Sequence, residues 1–125
     1  MKLLIDTHIL LWVMQDAPQL GRLARRLLND AEVVHVSSVS LWEIAIKGAL
    51  GKLRVDQGEL DTQLDKIGFA PLPVTWAHAR ALRKLPPLHS DPFDRMLVAQ
   101  ALSEPLHLLT HERSLAAYGE LIMLV

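Results

Sequence analysis

The chain contains no cysteine, and that one absence removes several chemistries. Disulfides, thiolate catalysis and cysteine-based zinc sites are all excluded. An excess of either charge is also missing: 13 Lys and Arg stand against 14 Asp and Glu, a net charge of −1. No chain-wide basic field exists to gather nucleic acid, so a polyanionic substrate has to be held by local patches and by metal. The uncharged apolar runs fall well short of a membrane span. Asp6 interrupts what would be the apolar region of a signal peptide, and no small-residue cleavage site follows it. A cytoplasmic location without membrane attachment is therefore predicted. No Gly-x-Ser-x-Gly elbow marks an activated serine, and no internal repeat or low-complexity tract is present.

What is there reads as a globular protein. Half of the residues are apolar and 22% are charged, a balance that disordered chains do not have. A chain of 125 residues predicts one domain spanning 1–125, with about two-thirds of its unfolded surface buried. Residues 2–5 read as a buried strand, and Thr7 to Met14 as a helix closed by Asp16-Ala17-Pro18. Leu20, Leu23, Ala24, Leu27 and Leu28 recur at helical spacing. Val33 to Val36 reads as a second strand, followed by an apolar helix from Leu41 to Leu50 with Gly51 as its stop. Gly58 to Ile67 is a weaker amphipathic helix. Phe69 to Val74 is a proline-interrupted piece suited to a sheet edge. Thr75 caps a helix through Leu85, and Pro92 opens another to Leu102. Leu106 to Leu109, a short helix Ser114 to Tyr118, and Leu121 to Val125 complete the order. Strands alternating with helices imply an α/β fold: a mostly parallel sheet of four to five strands with helices on both faces.

Three acids stand out by their settings. Asp6 ends the first strand, Glu43 lies one turn into the apolar helix after the second, and Asp94 lies in the first turn of the helix opened by Asp91-Pro92. Strand ends and the helix starts after them gather on one edge of an open α/β sheet, where ligands bind. Three carboxylates meeting there cannot all stay ionised cheaply without a cation. Each also has an ordinary structural explanation. Asp6 and Asp91 suit helix caps. Ser40 and Glu43 have capping-box spacing, and Glu43 can pair with Lys47 one turn on. The helix dipole favours Asp94. Taken together, the three suit Mg²⁺ or Mn²⁺, which take oxygen ligands and need only a few carboxylates. Such a site cuts phosphodiesters without a nucleophilic side chain.

Three segments resemble one family. Leu3-Leu4-Ile5-Asp6-Thr7-His8-Ile9-Leu10-Leu11-Trp12, the run Ser37-Ser38-Val39-Ser40-Leu41-Trp42-Glu43-Ile44-Ala45-Ile46-Lys47, and residues 89–101 around Asp91-Pro92-Phe93-Asp94-Arg95 are similar to PIN-domain ribonucleases. The particular wording is similar to that of VapC-type toxins of bacterial toxin–antitoxin systems. The resemblance spans 3–118 in order and spacing. It implies a PIN-like domain, a Mg²⁺- or Mn²⁺-dependent endoribonuclease activity on RNA, a cognate antitoxin that neutralises it, and a homodimer. It assigns Asp6, Glu43 and Asp94 to catalysis and metal binding. The fourth family acid usually follows the fourth strand as Thr-x-Asp; here Thr110-His111-Glu112 puts Glu112 in that place, one methylene longer. Thr7, Asp91 and Thr110 stand beside these acids, where they would touch the ligands or their waters.

The remaining features carry less. His107 and His111 are four apart but straddle a strand end, so helical zinc geometry does not apply. His8 and His111, next to proposed ligands, read as ordinary polar residues before substrate contacts. Arg22, Arg25 and Arg26 form a cationic helix face, read first as solvated. Lys47, Lys52 and Arg54 are weak candidates for phosphate contacts. Trp12, Trp42 and Trp76 fall in helix patterns that suit core or interface packing. The replacement at Glu112 motivates an alternative: a non-cleaving PIN-fold module that binds RNA or protein. A phosphoacceptor signalling domain also places an Asp at a strand end, but the acidic pair it needs near the first strand is absent.

Overall fold

A computed structural model describes all residues, 1–125. Strand β1 (Lys2–Ile5) is the centre of the sheet. Leu3, Leu4 and Ile5 are completely buried, the near-continuous apolar run of a strand covered on both faces. Helix α1 (Thr7–Gln15) follows at once and ends at Asp16, a non-glycine residue in the left-handed region at φ 46. Helix α2 (Arg22–Asp30) returns the chain to β2 (Val33–Ser37), which pairs parallel to β1. Helix α3 (Ser38–Ala49) and helix α4 (Gln57–Ile67) lead to β3 (Ala70–Leu72). There the chain turns back. Helices α5 (Trp76–Leu82) and α6 (Pro92–Ser103) carry it to β4 (His107–Thr110), on the other side of β1. A 3-10 helix (Arg113–Tyr118) and β5 (Ile122–Leu124) close the chain.

The sheet order is β3-β2-β1-β4-β5, and every pairing is parallel. Strands β1 to β3 progress one way, and the chain then restarts on the far side of β1. The carboxyl ends of β1 and β4 therefore flank the topological switch point, the usual ligand crevice of such sheets.

Side chains alternate along β1 and feed two cores. Leu3 and Ile5 pack with Ile9 and Leu10 of α1, Ala24 of α2, Ile44 of α3 and Leu60 of α4. Leu4 packs on the opposite face with Leu97, Val98 and Ala101 of α6, and with Leu108, Leu115 and Tyr118. Helix α3 belongs to both, sending Ile44 to the first core and Val39 to the second. No helix is long and apolar enough to cross a membrane.

Several local details differ from the sequence reading. Helix α3 starts at Ser38, capped by Ser37, whose side chain accepts from the Val39 amide. Ser40 is thus inside the helix, and the expected Ser40–Glu43 capping box does not form. Helix α5 stops at Leu82 and tightens into turns that join Arg83, Lys84 and Leu85 to the carbonyls three residues back. Pro86 disfavours helical geometry in the residue before it, which explains the early end. The Thr75 cap does form, as a reciprocal box with His78. Leu23, expected on the buried stripe of α2, is 51% exposed. Arg25 ties that helix to the preceding turn instead, donating to Asp16 and to the Leu20 and Ala17 carbonyls. The edge strand β3 carries Pro71, as its sequence indicated.

Leu108→Ala, at a fully buried site on β4, should lower the unfolding free energy by about 2–5 kcal/mol. Leu23→Ala should change it by no more than about 0.5 kcal/mol. Urea unfolding followed by circular dichroism compares the two; equal effects would contradict the core assignment.

Candidate functional site

Asp6 occupies the first position beyond β1 and caps α1, its Oδ1 accepting from the Ile9 amide at 2.8 Å. Its backbone amide reaches across to the Leu109 carbonyl of β4. Its Oδ2 accepts from the Thr110 hydroxyl at 2.5 Å. The residue is 3% exposed. Burial pushes its carboxyl above the usual range, against the pull of the Thr110 and Ile9 hydrogen bonds. Each carboxylate oxygen has a second lone pair, so these contacts orient Asp6 without exhausting it.

Glu43 projects from α3 and is equally buried. Thr7 is 2.6 Å from its Oε1 and 3.0 Å from the Ser40 hydroxyl. A threonine has one hydroxyl proton, and a carboxylate only accepts. Thr7 therefore donates to Glu43 and accepts from Ser40. Lys47, one turn on, pairs with the other oxygen, Oε2. The ion pair anticipated as an ordinary helix contact is present, with one partner buried.

Asp94 sits in the first turn of α6, below the Asp91 cap that accepts from its amide at 2.9 Å. His89 Nε2 lies 3.0 Å from its Oδ2. Burial raises the Asp94 carboxyl to about 6, assisted by the negative charges of Asp91, Asp6 and Glu43. The three acids thus act on one another across the switch point. Asp6, Glu43 and Asp94 come to a shared edge, with Thr7, Thr110 and Asp91 beside them. Glu112 does not join this buried group. It is exposed and caps the 3-10 helix, its Oε1 accepting from Ser114. Those hydrogen bonds lower its carboxyl below the usual value.

His89 is the contributor that sequence reasoning missed. It lies within the third motif, but in a loop with no periodicity to aim it. Its Nδ1 is 2.8 Å from the Ser114 hydroxyl, which in turn contacts Glu112. A polar chain Asp94–His89–Ser114–Glu112 therefore connects the third acid to the fourth. Tyr118, donating to the Pro86 carbonyl, also accepts from the His89 amide and fixes that loop. Trp12 is half-buried between the rings of His8 and His111, while Trp42 and Trp76 are exposed.

The donor set is all oxygen, which suits magnesium or manganese. Burial, with a smaller contribution from neighbouring negative charge, raises the Asp6 and Asp94 carboxyls, and the Lys47 ammonium lies on Glu43. In this arrangement no three acidic or histidine side chains are gathered closely enough to hold an ion between them.

A parallel α/β protein with buried acids at its switch point is what fold and site define. The PIN domain family model matches residues 3–121, and the chain belongs to that family. A sequence search of curated proteins gives no match. Among solved structures, similarity extends to VapBC2 from Rickettsia felis bound to a promoter DNA fragment. That likeness has a TM-score of 0.72 and 15% identity, covering 100% of this chain and 98% of the other. A toxin–antitoxin complex from Klebsiella pneumoniae matches with a TM-score of 0.61 and 19% identity, over 90% and 89% of the two chains. FitAcB from Neisseria gonorrhoeae matches at 0.64 and 17%, over 93% and 92%. At these identities the likeness concerns the fold: the chain is structurally similar to VapC- and FitA-type toxins.

The raised Asp94 carboxyl has a consequence for stability. Its folded value exceeds the ordinary 3.8, so the folded protein holds this proton more tightly than the unfolded chain. Stability should fall as pH rises from 3.8 to about 6, by on the order of 1–2 kcal/mol once partial exposure is discounted. Asp94→Asn should flatten that slope. Urea titrations without metal across this range check it; parallel profiles for the two proteins would refute the electrostatic picture.

Proposed function

We propose that this protein is a Mg²⁺- or Mn²⁺-dependent endoribonuclease, the toxin of a toxin–antitoxin pair, acting in the cytoplasm through one domain over residues 1–125. The observation that supports this reading is the placement of Asp6, Glu43 and Asp94 at the switch point, with threonine hydroxyls donating to Asp6 and Glu43 and the charges of Asp6 and Glu43 helping to raise the Asp94 carboxyl. Asp6, Glu43 and Asp94 would hold the ion through carboxylate oxygens, and Glu112 would join by turning away from Ser114. Such an ion, when bound, would supply the positive charge that polarises a phosphodiester and activates water for attack. Thr7 and Thr110 hold the Glu43 and Asp6 carboxylates in place by donating to them. His89 fixes the rotamer of Asp94. Burial keeps bulk water from screening these charges.

The likeness to toxin–antitoxin complexes supports a cognate antitoxin as partner and an oligomeric toxin. A hollow of about 490 Å³ lined by Val39, Trp42, Val74, Leu82, Pro92 and Met96 supports a homodimer through this face. Trp42 there is 60% exposed with its ring packed edge-on against Phe93. Light scattering at micromolar concentration should report a dimer, and Trp42→Asp should dissociate it. A wild-type monomer would refute the assembly.

The outward turn of Glu112 and the open spacing of the acids favour a second reading, a PIN-fold module that binds RNA or protein without cutting. Asp6→Asn separates the two. The variant should fold, since it removes a desolvated charge, and should lose metal-dependent RNA cleavage by about a thousandfold or more. A folded Asp6→Asn protein that still cuts RNA would overturn the site assignment. Metal uptake by the wild type without cleavage of varied RNAs would establish the binding module.

A further inference from the structure

Lys47 is the one lysine or arginine paired with an acid of this site. It extends from α3, and its ammonium sits on Glu43 Oε2 at the mouth of the buried edge. The Glu43 side chain is 4% exposed and that of Lys47 is 30% exposed. The pair thus faces inward at one end and outward at the other. Nζ also lies 6.0 Å from the centre of the Phe93 ring on α6. That ring is flanked in sequence by Asp91-Pro92 and Asp94, and the charges of Asp91 and Asp94 act on Lys47 together with that of Glu43. One ammonium is therefore paired with an acid on α3 and lies over a ring on α6.

An ordinary pair four residues apart on a helix is solvated at both ends and stabilises little. Here one partner is buried, and an unpaired buried carboxylate is costly. Lys47 fills the role that a divalent cation would fill on the same oxygens. Ammonium and metal cannot both take Glu43 Oε2 without a positive charge meeting a positive charge at close range.

We propose that Lys47 is a tethered counter-cation, which stabilises the acidic edge while no metal is bound and must leave Glu43 for a divalent ion to enter. The inference rests on the metal-dependent reading above. The lysine stem is long and flexible, and its half-exposed end leaves a path to solvent. The displaced ammonium then lies at the rim of the site, where a phosphate would approach. Metal binding and release of this ion pair are one linked event, so Lys47 sets the metal concentration at which the site loads.

Calorimetric titration with Mn²⁺ tests this on the full chain, comparing wild type, Lys47→Met and Lys47→Arg. Lys47→Met should bind Mn²⁺ about fivefold more tightly or better. Its metal-free melting temperature should fall, and the rise on adding Mn²⁺ should exceed that of the wild type. Lys47→Arg, which keeps the charge, should bind like the wild type. Equal or weaker binding by Lys47→Met would overturn the proposal and leave the metal reading standing. Absence of binding by wild type and Lys47→Met alike would remove both. A second measurement needs no variant to fold. The Lys47 Cε resonance of lysine-labelled wild type should shift as diamagnetic Mg²⁺ saturates the site, and a resonance unmoved at saturation would overturn the proposal.

Discussion

The Asp6 carboxylate is held from two directions, and much of the molecule is arranged around that fact. One oxygen closes the start of α1, and the other receives the Thr110 hydroxyl from the end of β4. Both contacts require β1 and β4 to be neighbours with their carboxyl ends level. The register that pairs Ile5 with Leu109 supplies this. A one-residue slip would reverse the faces of Leu3, Leu4 and Ile5 and misplace both cores. The hydrophobic alternation of the central strand thus fixes a polar contact at its end. The apolar interior and the acidic edge are parts of one constraint.

Burial is what makes the edge chemically unusual, and hydrogen bonds are what make it tolerable. Removing carboxylates from water raises the cost of their charge, and placing them near one another raises it further. Threonine hydroxyls, helix-start amides and a lysine offset part of that cost. The compensation is directional: each donor also fixes an oxygen in space. Ser40, interior to α3, is hydrogen-bonded to Thr7, which donates its own hydrogen bond to Glu43. Three helices and two strand ends meet in these few contacts, so the geometry of the edge reports on the packing of the whole sheet.

Much of this was legible in the sequence because it depends on local signals. The run Leu3-Leu4-Ile5 announces a central strand, Asp91-Pro92 a helix start, and Pro71 an edge. The placement of Asp6, Glu43 and Asp94 at one edge follows from the alternation of strands and helices. What was not legible depends on contacts between distant segments. Ser40 and Glu43 have capping-box spacing, yet the cap is Ser37, the last residue of β2. Leu23 matches a helical stripe, yet it is exposed, while Arg25 anchors α2 to the preceding turn by its own fork of hydrogen bonds. His89 is aimed by Tyr118 and Ser114, which follow it by 25 residues or more. Glu112 has the right position for a ligand, but its nearest donors are those of Ser114, two residues away.

The short outer strand β3 has a bearing on how this molecule meets others. Its middle residue, Pro71, has no amide hydrogen, and only three residues are in register with β2. An incoming strand would find few donors there, which protects against edge-to-edge polymerisation. The opposite edge, β5, carries no proline within Ile122–Leu124. The β5 edge is equally short, with three residues in register with β4, so the two edges differ in the one backbone donor that Pro71 removes.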